Sequence, residues 1–308
     1  MIVTLCGGVG AARFLAGLVQ VVDESEIVAI VNTGDDLVLH GLSISPDLDT
    51  VSYTLSGLNN TETGWGVKGE TWRAMQRLSE LGGESWFSLG DLDLATHLFR
   101  SQLLAQGATL TEATDALRRA MGIGVKLLPM SDEPVATKVT SRETGAELDF
   151  QEYFVRHHHE PRLSAIRFAG AETAQPGPEV LSSIAAADRV IIAPSNPLVS
   201  LGPILAVPGI APALKARRAD TVAISPIVAG TALKGPAADM LEDLGHEVSV
   251  VGVARLYAPY AATFVIDEQD AHHRAAVAEL GMQCVVTNTV MDSSEIAASL
   301  ARVTIEDS

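Results

Sequence analysis

The chain has 308 residues and carries 38 acidic against 21 basic side chains, a formal net charge of −17. That length fits one large domain or two modest ones, and that charge argues against a general nucleic-acid binder, which would present a basic stripe. Cys6 and Cys284 are the only cysteines, too few for a disulfide framework and without zinc spacing; no apolar run reaches a membrane span and no signal peptide precedes the first strand, so a reducing cytoplasm is the expected setting.

MIVTLC reads as a buried first strand that runs into Gly7-Gly8-Val9-Gly10 and a helix from Gly10 to Val22; EIVAIVN is the second strand. Glycines at a strand–helix junction let the backbone approach an anion, and the helix N-terminus adds positive potential. The turn matches neither common fingerprint. Arg13 stands where a dinucleotide motif needs its third glycine, and the Gly-Lys-Ser/Thr of a Walker A loop is absent. Gly7, Gly8 and Gly10 are therefore expected to contact a phosphate or nucleotide. Arg13 reads equally as a phosphate ligand or a solvated helix residue. A chain this acidic must hold a phosphorylated ligand by local groups: backbone N–H donors, a few Arg or Lys, or a divalent cation.

The stretch VNTGDDLVLHGLSISPDLDT follows, with Asp35, Asp36, Asp47 and Asp49 near strand ends. Mg²⁺ takes oxygen ligands, often one or two carboxylates with substrate phosphate oxygens. Asp47 reads as a turn former. Asp35 and Asp49 read as functional, because clustered acids repel unless something offsets them. Helices are predicted over Thr50–Ser56, Gly69–Leu81, Leu92–Ala105 and Thr111–Met121, with WFSL strand-like before Gly90-Asp91. Asp93, His97 and Arg100 fall at i, i+4 and i+7 and share one helix face. An exposed ion-pair ladder is the commoner meaning of that spacing; a polar cleft wall is the sharper one. Next, EPVATKVTSRETGAELDFQEYF predicts a hairpin turning at Glu143-Thr144-Gly145 and then a short helix. Lys138 and Arg142 are in reach of a phosphate there or simply solvated. His157-His158-His159 receive no metal role, since consecutive side chains point in different directions.

The apolar segments RVIIAP, DTVAIS, EVSVVGV, TFVID and QCVVTN predict further strands, and continuous rather than alternating runs suit a parallel sheet covered on both faces. The loop after RVIIAP brings Ser195, Asn196 and Ser200 to a strand's carboxyl end, where such sheets bind ligands. SPIVAGTALKGPA repeats the arrangement with Ser225, Gly230 and Lys234, and the last helix is predicted over Asp292–Arg302. The expected fold is α/β: a Rossmann-like, mostly parallel sheet with helices on both faces and a mainly helical insertion. Residues 1–48 and 160–308 would form the nucleotide-binding core, and residues 49–159 a cap with a β-hairpin.

CGGVGAARFL, NTGDD, SPDLDT, GDLDLATHLFR, PMSDEPVATKV, FQEYFVR, APSNPLVSLGPIL and SPIVAG occur in order along almost the whole chain. Together they resemble the 2-phospho-L-lactate transferase family of coenzyme F(420) biosynthesis, including its actinobacterial phosphoenolpyruvate-transferring branch. The resemblance implies a Mg²⁺-dependent enzyme, often a dimer. It moves a phosphoenolpyruvyl or 2-phospho-L-lactyl group from a guanosine-diphospho donor to the terminal hydroxyl of the deazaflavin Fo and releases GMP. On that reading Asp35 and Asp49 hold the metal, and Asp49 or Asp36 takes the hydroxyl proton. Gly7, Gly8, Gly10, Arg13, Ser195, Asn196 and Ser200 hold the nucleotide. Asp49, Trp65, Ser88, Asp91 and His97 line the deazaflavin pocket, with Ser88 standing where archaeal members are expected to carry a basic residue. Both partners are small molecules; neither nucleic acid nor membrane is expected. The alternative is a non-enzymatic nucleotide-sugar-binding regulator of the related α/β family. An NAD-dependent oxidoreductase is disfavoured by the missing third glycine and by Asn32, which ends the second strand where an acid is expected.

Overall fold

The computed structural model describes residues 1–61, 64–232 and 235–306. The chain opens with β1 (Ile2–Cys6), α1 (Gly8–Leu18), β2 (Ile27–Val31) and a small hairpin, β3 (Leu37–Leu39) and β4 (Leu42–Ile44). Then come α2 (Pro46–Leu55), α3 (Arg73–Glu80), α4 (Asp91–Ala105), α5 (Leu110–Ala120) and β5 (Lys126–Pro129). β6 (Ala136–Ser141), β7 (Glu147–Asp149), a π-helical turn (Glu152–Arg156) and β8 (Leu163–Ala169) lead into the second half. There the order is α6 (Val180–Ala186), β9 (Arg189–Ile192), α7 (Leu201–Ala206), α8 (Ile210–Ala216), β10 (Thr221–Ile224), β11 (Ile227–Val228) and β12 (Thr231–Ala232). It ends with α9 (Ala237–Asp243), α10 (Val250–Tyr257), β13 (Thr263–Asp267), α11 (Arg274–Glu279), β14 (Gln283–Thr287) and α12 (Ser294–Glu306).

Seven strands form one sheet in the order β14-β13-β10-β9-β1-β2-β5, and every pairing is parallel. All five residues of β1 are buried, because helices cover both faces. Val3, Leu5, Val28 and Ile30 point into one core with Ile204 and Leu214 of α7 and α8 and Val253 of α10. Ile2, Cys6, Ile27 and Ala29 point into the other with Phe14, Leu15 and Leu300 of α1 and α12. The chain leaves β1 in one direction to β2 and β5 and in the other to β9, β10, β13 and β14. β1 and β9 therefore flank the switch point, and the crevice beyond their carboxyl ends is where such sheets receive ligands.

The expected parallel sheet and helical layers are present, and four details differ. β5 lies inside the segment assigned to the cap yet forms the edge of the central sheet beside β2, so the 49–159 boundary does not match a physical unit. β8, assigned to the core, pairs instead with β6 in a separate antiparallel sheet ordered β7-β6-β8. EVSVVGV enters helix α10, with Ser249 Oγ accepting the Gly252 N–H at 3.1 Å; a short apolar run buried all round suits helix as well as strand. WFSL forms no strand. Trp86 and Phe87 meet edge-to-face at 5.7 Å, and Leu89 packs with Leu39, Ile44 and Met75 in a small core under the insertion.

Candidate active site

A cleft of about 650 Å³ opens beyond the carboxyl ends of β1 and β9. Gly7, Gly8, Gly10 and Arg13 line it from the first turn, and Ser195, Asn196 and Ser200 from the loop after β9. Asp35, Asp49 and His97 line the middle, and Trp65 and Ser88 come from the insertion. These expected residues, dispersed over the chain, are thus brought to one cavity. Asp36 and Asp91 are not among its walls.

At the glycine turn the Gly7 N–H donates to Ser195 Oγ at 3.2 Å and the Gly8 N–H to Asp47 Oδ1 at 2.8 Å. Gly8 has φ +70°, and a Cβ on Gly10 would lie 2.3 Å from the Pro194 carbonyl oxygen. The turn needs glycine at Gly8 for its backbone angle and at Gly10 so that the helix can approach the β9 loop. Asp47, expected to be a plain turn residue, corrects that expectation. It is buried, and its second oxygen accepts from Asn32 Nδ2 at 2.9 Å. A carboxylate therefore already sits at the helix N-terminus, on the first N–H. An incoming phosphate is left with the N–H groups of Val9 and Gly10, which the first turn of a helix cannot bond internally. Asn196 is also largely committed: its Oδ1 accepts from the Leu198 and Val199 N–H groups at 2.9 and 3.4 Å, and its Nδ2 donates to Met240 Sδ at 3.6 Å. Arg13 is exposed at the rim, with no ion pair among the described residues.

α2 and α4 build the wall that the i, i+4, i+7 spacing left open. α2 starts a turn earlier than predicted, with Pro46 at its first position, which places Asp47 and Asp49 in the first turn. Asp93, His97 and Arg100 are all buried, so the polar wall prevails over the exposed ladder. Arg100 grips Asp49 with both terminal nitrogens: Nη2 on Oδ1, and Nη1 at 3.1 Å from Oδ2. Nη1 also lies 3.3 Å from the Ser43 carbonyl oxygen. His97 sits between two acids, Nδ1 3.6 Å from Asp49 Oδ2 and Nε2 3.1 Å from Asp93 Oδ1. The second contact lacks hydrogen-bond alignment, so Nε2 is buried without a partner. Asp93 instead accepts from the Tyr53 hydroxyl at 2.6 Å. Burial, then the nearby carboxylates, push the Tyr53 hydroxyl well above its ordinary range. Burial disfavours the Arg100 charge, and Asp49 more than offsets it.

The strand-end carboxylates Asp35, Asp36 and Asp47, by contrast, form no ion pair among the described residues. Burial foremost, then repulsion from Asp47, hold the Asp35 carboxyl far above its ordinary range. Burial does the same to Asp36, and lifts Asp47 to about 6 against the opposing bonds from Asn32 and Gly8. Asp35 Oδ1 and Asp36 Oδ1 are buried without a hydrogen-bond partner. Orphaned carboxylate oxygens that repel each other fit a hard divalent cation. Asp49, Asp93 and His97 also place three ligand atoms within 4.8 Å of one another. That group contains an imidazole and already has Arg100 as its cation, so it suits Mg²⁺ less well.

Two expected residues stand elsewhere. Asp36 accepts from Ser45 Oγ at 2.7 Å and lines a side cavity of about 400 Å³ rather than the cleft, which removes it from the reach of a hydroxyl in the cleft. Asp91 is exposed and clasps Thr71, accepting its N–H at 2.7 Å and its hydroxyl at 3.1 Å; it fastens the segment before α3 to the start of α4. Lys138 pairs with Asp149, and Arg142 bonds the carbonyls of Leu163 and Asp243, so both serve the β6 sheet. Lys234 lies outside the described residues. Besides Asp47, sequence reasoning missed Phe150 and Gln151, just before the π-helical turn, and Phe154 within it, all of which line the cleft. Nothing in FQEYF marks a π-turn in advance; its aromatic spacing reads equally as core.

Among solved structures, a Bacillus halodurans protein of the UPF0052 family shares the fold at a TM-score of 0.65 and 18% identity, covering 99% of this chain and 98% of that one. A phosphoenolpyruvate transferase from Kitasatospora aureofaciens is 45% identical over 99% of this chain and 96% of its own length. One from Streptomyces griseus is 42% identical over 99% and 97%. A 2-phospho-L-lactate transferase from Methanosarcina acetivorans is 38% identical over 98% and 97%. The family profile described as 2-phospho-L-lactate transferase CofD matches residues 2–307; the chain belongs to this family.

Proposed function

We propose that this chain transfers a phosphoenolpyruvyl group from enolpyruvyl-diphospho-guanosine to the terminal ribityl hydroxyl of Fo and releases GMP. The lactyl donor differs only at the three-carbon unit. The names carried by the actinobacterial relatives favour the enolpyruvyl form. The observation that supports transfer rather than binding alone is the pairing of carboxylates in the cleft: Asp49 locked by Arg100, and Asp35 in no ion pair among the described residues.

The reaction forms one O–P bond from the hydroxyl to the phosphorus of the three-carbon unit and breaks the bridging P–O bond, so that GMP leaves with the electron pair. Such transfers depend on alignment and charge neutralisation more than on covalent catalysis. The Val9 and Gly10 N–H groups and the Ser195 hydroxyl hold the diphosphate. Asp49, fixed in one orientation by Arg100, accepts the hydrogen bond of the attacking hydroxyl and takes its proton. Trp65 and Ser88 flank the deazaflavin from the insertion. Asp35, at the strand ends, would hold Mg²⁺; when bound, the ion neutralises the diphosphate and lowers the hydroxyl's pKa. Among the described residues no helix is long and apolar enough to cross a membrane. A cytoplasmic homodimer is the proposed setting.

Fo carries its own chromophore, which allows a direct test. Titration with Fo should change its fluorescence, and addition of donor and Mg²⁺ should then yield one phosphoenolpyruvylated Fo per GMP. Binding of a nucleotide-sugar without turnover of Fo would instead support the regulatory reading.

A further inference from the structure

The cleft and the side cavity share three lining residues, Asp35, Phe150 and Gln151. Asp35 therefore borders two spaces. The cleft serves the substrates. The side cavity, and Asp36 within it, have no part in the chemistry above. Its mouth is acidic: Glu84 and Asp149 line it and are exposed, and Glu152 lies beside them. Arg156 is the one Lys or Arg among its described lining residues, and it is paired with Glu152 at 3.1 Å. Glu84 forms no ion pair among the described residues.

The floor of the side cavity is buried and polar. Asp35, Asp36 and Thr137 line it, and Asp35 Oδ1, Asp36 Oδ1 and Thr137 Oγ1 are each buried without a hydrogen-bond partner. Thr137 is an independent sign of a ligand, because it is no acid and is only 1% exposed. A buried hydroxyl left unpaired is costly. Strand β6 brings it there. The Thr137 N–H donates to the Gly34 carbonyl at 2.7 Å, and a Cβ on Gly34 would lie 2.8 Å from Thr137 Oγ1. The hydroxyl thus presses on the turn that carries Asp35 and Asp36. Carboxylate and hydroxyl oxygens are the ligands a hard divalent cation takes.

We propose that the side cavity is a separate entrance for the divalent cation, which passes the acidic mouth and reaches Asp35 by way of Asp36 and the Thr137 hydroxyl. The inference rests on the reading of Asp35 as the holder of the ion and extends it to residues without a role in that reading. A cavity lined by one sign of charge concentrates ions of the other sign. The same acids repel a diphosphate, so the donor is steered to the cleft and the cation to the side cavity. Donor and deazaflavin together fill the cleft side of Asp35. An ion that arrives from the other side has no need to cross them, and it can exchange while both are bound.

The test follows Mn²⁺, read by its EPR signal when free, in the wild type, Thr137→Val, Thr137→Ser and Glu84→Lys. Thr137→Val should raise the Kd of Mn²⁺ about tenfold, and Thr137→Ser should keep it within about threefold of the wild type, with the Kd of GMP unchanged in both. In rapid mixing, saturating GMP and Fo should slow Mn²⁺ association with the wild type by less than about threefold, a comparison that needs no variant to fold. Glu84→Lys should slow association severalfold at low salt and less at high salt, as a steering charge does. Unchanged Mn²⁺ affinity in a folded Thr137→Val, association slowed more than about tenfold by GMP and Fo, or a Glu84→Lys that associates like the wild type would each overturn the entrance. If the wild type binds no Mn²⁺, the reading of Asp35 as the holder of the ion falls and takes the entrance with it. If it binds Mn²⁺ only while the cleft is open, only the entrance falls.

Discussion

The two carboxylate groups in and beside the cleft have similar burial and opposite electrostatics. On the helical wall, Asp49 is gripped by Arg100 and Asp93 accepts from the Tyr53 hydroxyl, with His97 lying between the two acids. On the strand-end wall, Asp35, Asp36 and Asp47 share Asn32, Ser45 and a backbone N–H, with no cation among their direct partners. A matched group is held in position in the free protein and can present a fixed oxygen to a substrate. An unmatched one is destabilising until a cation arrives. The difference assigns orientation of the hydroxyl to the helical wall and binding of the ion to the strand ends.

Breaking the matched wall should have the largest effect. Arg100→Met leaves Asp49 buried and unpaired, which costs about 3–5 kcal/mol of stability and should all but abolish transfer. Denaturant midpoints and GMP release measure the two losses. Arg100→Lys should recover most of the stability and less of the rate, because a point charge cannot hold both carboxylate oxygens in one plane. A cost under about 1 kcal/mol for Arg100→Met would mean that the grip is incidental.

The unmatched wall predicts a smaller effect of the opposite sign. Asp35, Asp36 and Asp47 bind protons more tightly in the folded chain than in the unfolded one. Their contribution is therefore present at low pH and lost as pH rises through the folded values, about 6 for Asp47. In EDTA, Asp35→Asn should melt above the wild type at pH 7.5, and the gap should narrow toward pH 5.5. Mg²⁺ should raise the wild-type Tm at pH 7.5 and leave the variant's nearly unchanged. An Asp35→Asn that melts below the wild type in EDTA at pH 7.5 would mean that Asp35 is satisfied as it stands. Smallest of all, Asp91→Asn weakens an exposed clasp to Thr71 and should cost under about 1 kcal/mol, with the KM for Fo unchanged. A raised KM would return Asp91 to the substrate site.

Much of this contrast was legible before the fold was seen. Runs such as IVTLC and RVII betray a sheet buried on both faces; the clustering of acids picked out Asp35 and Asp49, and strand-end position Ser195. The i, i+4, i+7 spacing of Asp93, His97 and Arg100 showed a shared face but not which way that face points. Only packing against α2 turns an ordinary ladder into a buried clamp. Asp47 was hidden because a carboxylate in an SPD turn has a local explanation; its real partners, Gly8 and Asn32, are 39 and 15 residues away. EVSVVGV failed for another reason: when every side is buried, periodicity carries no information, and Ser249 as a cap decided for helix.

The central claim is that the ion belongs to the strand-end wall and not to the Asp49–Asp93–His97 group. Calorimetric titration of Mg²⁺ into the wild type, Asp35→Asn and Asp93→Asn, each with GMP present, tests it most directly. The account predicts that Asp35→Asn loses Mg²⁺ binding while Asp93→Asn keeps it within about threefold. The reverse pattern, binding retained without Asp35 and lost without Asp93, would place the metal on the helical wall and contradict the assignment of the two walls.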